Sequence, residues 1–120
     1  MASRQAIGRW GERVAEEYLI RRGVEICARN VRTPYGELDI IGRCAGELVF
    51  IEVKTRTNTR LGMPETSITE QKAAHLVDAA EYYLQEHPEL EGTWRIDLVA
   101  VLGRPDAIPP QIEWFENVVS

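Results

Sequence analysis

The chain has 120 residues, a net charge of −5, 44% apolar side chains and 28% charged ones, which describes a single globular domain over residues 1–120 with little room for a second core. The N-terminus carries no uninterrupted apolar segment and the longest apolar runs are strand-sized, which predicts a cytoplasmic protein without signal peptide, membrane helix or membrane partner. Cys27 and Cys44 stand apart and the only histidines are His75 and His87, so the thiols read as reduced and a Cys/His zinc centre is nearly excluded.

Charge is unevenly placed. Residues 1–60 hold eleven Arg/Lys and eight Asp/Glu, a balance of +3, while residues 61–120 hold three and eleven, a balance of −8. The acidic total weighs against a nucleic-acid partner, whereas the asymmetry predicts a basic face in the first half; scattered surface charge is the competing reading.

In chain order, residues 3–22 are predicted as an amphipathic helix with Ile7, Trp10, Val14 and Tyr18 on one face and Gly8, Gly11, Ala15 and Leu19 beside it. Gly8 and Gly11 weaken a helix, so both are expected to permit close approach to a neighbour. Glu12 lies at the edge of that face; Glu16 and Glu17 fall on a solvated outer face with Arg9 and Arg13. Gly23 ends the helix after Arg21 and Arg22. A strand over Val24–Val31, a turn at Thr33-Pro34-Tyr35-Gly36 and a strand over Glu37–Gly42 follow.

A loop of four residues, Cys44-Ala45-Gly46-Glu47, then returns the chain as an antiparallel hairpin into Leu48-Val49-Phe50-Ile51-Glu52-Val53-Lys54-Thr55-Arg56. That run is apolar enough for a central strand, where charge is rare unless paired or metal-bound. Glu52 and Lys54 share one face, about 6 to 7 Å apart along the strand. Pairing Arg43 with Leu48 sets Asp39 opposite Glu52, and two like charges in cross-strand contact make physical sense chiefly with a cation between them. The plain alternative is a strand end emerging into solvent.

Thr55–Pro64 is predicted as a loop. Ser67-Ile68-Thr69-Glu70 has capping-box spacing and opens a second helix that runs to about Glu86, ended by Pro88, with Ala73, Leu76, Val77, Ala80, Tyr83 and Leu84 inward. Trp94–Leu102 is a strong strand carrying Arg95 and Asp97 on one face, more simply a structural ion pair than a catalytic one. Gly103–Pro110 is a loop and Gln111–Phe115 an edge strand. The Glu52 and Trp94 strands are too apolar to leave a face wet, which predicts an α/β fold with a mixed central sheet flanked by helices on both faces.

Glu12, Asp39, Glu52 and Lys54 are therefore the candidate catalytic residues. Carboxylates with a nearby lysine suit metal-assisted phosphodiester hydrolysis: Asp39, Glu52 and Glu12 as oxygen ligands to Mg²⁺ or Mn²⁺, and Lys54 for orienting water or stabilising transition-state charge. Arg56, Arg60 and Lys72 are the candidate phosphate holders. Glu37 reads more simply as a strand cap than as a ligand, Trp10, Trp94 and Trp114 as core or edge aromatics, and His75 as a surface residue.

Gly36-Glu37-Leu38-Asp39-Ile40-Ile41, Phe50-Ile51-Glu52-Val53-Lys54-Thr55-Arg56, Gly62, Lys72 and Arg95-Ile96-Asp97 resemble the bacterial YraN family, and Gly11-Glu12 with Ala15, Leu19 and Asn30 extends the resemblance along nearly the whole chain. That family is similar to the PD-(D/E)xK nucleases, above all the archaeal-type Holliday junction resolvases, whose acids map onto Glu12, Asp39 and Glu52 and whose lysine maps onto Lys54. Leu38 stands where the motif has proline. The resemblance implies a restriction-endonuclease-like fold, a nuclease site, branched DNA as partner and a homodimer. A catalytically silent nucleic-acid-binding or accessory protein is the alternative, and a protein-interaction domain the third; a surface without basic residues near Lys54 would favour the last.

Overall fold

A computed structural model of the chain describes residues 3–58, 68–107 and 109–119. The order of elements is α1 (Arg4–Arg21), β1 (Glu25–Thr33), β2 (Gly36–Cys44), β3 (Glu47–Arg56), α2 (Glu70–Glu86), β4 (Trp94–Leu102) and β5 (Gln111–Phe115). The five strands form one mixed sheet in sequence order, antiparallel at every junction except β3–β4, which is parallel. Parallel neighbours need a long crossover, and the segment containing α2 supplies it.

Local chemistry explains the element ends. Ser3 accepts the Ala6 amide to cap α1, and after Arg22 the Gly23 amide bonds Ile20 and the Val24 amide bonds Leu19. That paired closure needs a left-handed residue, and Gly23 takes φ +94°. The β2–β3 hairpin is tighter than expected: Cys44 pairs with Glu47, so the turn is the two residues Ala45-Gly46. Both have positive φ, 52° and 82°, as a primed turn requires. The cap of α2 is Thr69, which accepts the Lys72 amide; Ser67 lies outside the described residues. Thr55 and Arg56 belong to β3 rather than to the predicted loop.

β3 divides the core. Val49 and Ile51 join Ala15, Leu19, Val99 and Val101 in one cluster, while Leu48 and Phe50 join Leu76, Ala79, Ala80 and Ile96 in another, as a period of two dictates. α1 lies over β3, β4 and β1, whereas α2 lies over β2 and β1. The buried line of α1 is Gly11, Ala15 and Leu19, one residue round from the predicted face, with Trp10 and Val14 packed at its side. No helix among the described residues is long and apolar enough to cross a membrane.

The rotation of α1 follows from Gly11. A β-carbon there would lie 1.9 Å from Thr55 Oγ1 and 2.9 Å from Thr55 Cβ, so glycine is what allows helix and strand to touch. Gly8, expected from sequence to do the same, meets none of the described residues: a β-carbon there has nothing within 4 Å among them. Gly11→Ala should therefore cost about 1–3 kcal/mol through overpacking despite better helix propensity. A denaturation midpoint equal to or above the native one would contradict this contact.

Candidate functional site

The β2–β3 ladder is paired from Cys44↔Glu47 to Ile40↔Ile51, while β3 stays paired with β4 out to Arg56↔Leu102. β2 and β3 thus diverge just before the predicted Asp39–Glu52 pair. Beyond the fork the Val53 amide has no β2 carbonyl in register, and Asp39 Oδ2 accepts it instead at 2.9 Å. A side chain replaces a ladder bond, which anchors the Asp39 carboxyl at the mouth of the fork.

Other acids gather there. Among the described residues, Glu12, Glu37 and Asp39 bring carboxylate oxygens within 4.8 Å of one another. Asn30 donates from Nδ2 to Glu12 at 2.7 Å and to Glu37 at 3.2 Å. Asn30 has φ 49°, a left-handed break in β1 that asparagine tolerates. Glu37, read from sequence as a strand cap more simply than as a ligand, thus stands beside Glu12 and Asp39; its i, i+2 spacing from Asp39 is the signal that points to it. Glu16, placed on the outer face by sequence, instead takes the Arg29 guanidinium of β1 in a bidentate pair.

Glu52 is buried at 7% exposure, and its Oε2 lies 2.7 Å from Lys72 Nζ. Lys72, expected to hold phosphate, is thus engaged as the counter-ion of Glu52. Partial burial pulls the ammonium down, but the Glu52 hydrogen bond and charge, with Asp39 behind, raise it on balance. The Asp39 carboxyl is pushed up to about 9 by burial first, then by the hydrogen bond and charge of Glu52, with Glu12 adding and the Val53 amide opposing. Burial and the neighbouring acids thus favour the protonated form of this carboxyl.

Lys54 lies on the face of Glu52 by strand alternation. With Glu12 it lines a cavity of about 630 Å³ whose wall includes Arg4, Thr55, Arg56 and Arg104. Arg56 Nε is buried without a partner among the described residues. Nothing in the sequence singles out Arg4 and Arg104, since helix, strand and loop join only in three dimensions. Arg60 lies outside the described residues. Arg95 and Asp97 form the structural ion pair expected of them, with Trp114 and the Asn117 amide also on Asp97.

The raised Asp39 gives a pH prediction. Between the ordinary value of 3.8 and about 9 the native state binds a proton that the unfolded chain has lost, so the metal-free protein should lose stability as pH rises through that window. Melting curves across pH in EDTA test this; a slope of opposite sign would contradict the protonated carboxyl.

The family model described as "Uncharacterised protein family UPF0102" matches residues 11–101. A UPF0102 protein of Dehalococcoides mccartyi is 41% identical over 98% of this chain and 95% of its own length. One from Beutenbergia cavernae is 45% identical over 98% and 99%, and one from Roseiflexus castenholzii 46% over 82% and 80%. The matched span runs from Gly11 at the α1–β3 contact to Val101 in β4 and takes in every acid of the fork, so the chain belongs to the UPF0102 family, the family also called YraN.

Proposed function

We propose that this protein is a metal-dependent nuclease that hydrolyses phosphodiester bonds of structured, branched DNA, its sheet and helices arranged in the restriction-endonuclease-like manner of the PD-(D/E)xK enzymes. The observation that carries the reading is the fork itself: three carboxylates converging within 4.8 Å beside a cavity lined by Lys54 and Arg56. An all-oxygen anionic set suits a hard divalent cation rather than zinc or copper. Glu12 and Asp39 would hold Mg²⁺ or Mn²⁺, joined by Glu37, with Glu52 completing the set once released by Lys72. The bound cation supplies Lewis-acid polarisation of the phosphoryl oxygen and a water of lowered pKa.

The chain's own groups do the rest. Lys54 holds the attacking water and faces the charge that develops on the phosphate. Arg56, with an unsatisfied Nε, donates to a non-bridging oxygen and fixes the phosphate in line. Symmetric junction arms carry the same proposal to a homodimer, which sedimentation tests; monomer alone at high concentration would remove it.

A second reading, a silent nucleic-acid-binding or accessory protein, is favoured by the Lys72–Glu52 pair, which already neutralises one acid of the set. Incubation of four-way, flapped and linear DNA with Mg²⁺, Mn²⁺ or EDTA separates them. Metal-dependent cleavage of branched substrate supports the nuclease; tight binding without cleavage supports the accessory role.

A further inference from the structure

We infer that a single nucleic-acid strand crosses α1 over Gly8, with its phosphates held by arginines on both sides of Glu12. The inference rests on the nucleic-acid reading above but not on cleavage. Two cavities of about 630 Å³ each meet at this point. One is lined by Arg4, Lys54, Arg56 and Arg104, the other by Arg9 and Arg32 together with Glu37, and both include Gly8 and Glu12. Among the described residues none of these six cations is in an ion pair with a carboxylate. Each cavity is far larger than one phosphate, and cations on both sides of a shared saddle suit a polyanion that passes through rather than a small anion that stops.

Gly8 supplies the independent observation. It sits inside a helix, where glycine is unfavourable relative to alanine, and no packing contact among the described residues explains it: a β-carbon would meet none of them within 4 Å. Its neighbour in kind, Gly11, is explained by Thr55. What a side chain at Gly8 would fill is the saddle between the two cavities. The missing side chain lets the strand lie against the helix and brings its backbone to Glu12, one turn further on.

The test is fluorescence anisotropy of a labelled single-stranded DNA oligonucleotide, in EDTA, with the wild-type chain and the variants Gly8→Ala, Gly8→Leu, Arg4→Ala and Arg32→Ala. Gly8→Ala should melt at or above the wild-type temperature and bind nearly as well. Gly8→Leu should stay folded and bind about 10- to 100-fold more weakly, a steric loss with no charge removed. Arg4→Ala and Arg32→Ala, one from each side, should each lower the slope of log affinity against log salt by about 0.7. Inorganic phosphate at matched phosphate concentration should not displace the strand. Wild-type affinity in a folded Gly8→Leu, an unchanged slope in either arginine variant, or displacement by phosphate would overturn the path while leaving nucleic-acid binding in place. Absence of single-strand binding by the wild-type chain would overturn the path; a four-way junction titrated in the same assay separates this from the nucleic-acid reading, which falls only if the junction is not bound either.

Discussion

On the proposed nuclease reading, Lys54→Ala will keep the divalent-cation response and lose cleavage by about 10²- to 10³-fold, the loss associated with removing one group that stabilises transition-state charge. Lys54 contributes no ligand atom to the acid cluster, and removing its positive charge leaves the field at the carboxylates more favourable to Mg²⁺. Glu52→Gln separates from it. Glu52 is outside the Glu12, Glu37, Asp39 group and is held by Lys72, so its loss should weaken the cation response rather than abolish it, and stop cleavage. The metal-free fold should change little in stability, because the repulsion between Glu52 and Asp39 is relieved while the Lys72 ion pair is lost. Thermal shift against Mn²⁺ concentration with parallel cleavage assays reads both variants. Equal loss of metal response in Lys54→Ala would place the lysine in the structure of the site and not in its chemistry.

Asp97→Ala will be the most destabilising single substitution on the sheet, by about 3–5 kcal/mol. Asp97 has no exposed surface. Oδ1 accepts Arg95 Nε at 3.0 Å and the Asn117 amide at 2.8 Å, and Oδ2 accepts Trp114 Nε1 at 2.8 Å. Truncation leaves three donors unsatisfied around a guanidinium whose side chain is only 15% exposed, although Glu47 and Glu116 still reach it. The same bonds fasten the segment after β5 to β4, where the Val118 amide bonds the Ile96 carbonyl. Asp97→Asn keeps an acceptor and should lose markedly less. Denaturant unfolding with an unchanged slope measures the difference; a loss under 1 kcal/mol for alanine would show the network to be idle.

Pattern and turn chemistry in the sequence determined the elements. The bounds of β4 and β5 are those read from Trp94–Leu102 and Gln111–Phe115, because apolar runs bounded by prolines and glycines leave little choice. The hairpin register was legible too, since pairing Arg43 with Leu48 is fixed by the turn, and it brought Asp39 towards Glu52 before any coordinates. What the tertiary structure decided is where those acids point and what meets them. The strands separate at Asp39, which depends on how β2 and β3 diverge in three dimensions and not on local preference. The face of α1 turned by one residue because Thr55, distant in sequence, presses on Gly11. Lys72 reaches Glu52 only because the crossover carries α2 back over β2. Contacts between elements distant in sequence carry no local periodicity, so Arg4 and Arg104 joined the cavity beside Lys54 only when the chain closed on itself.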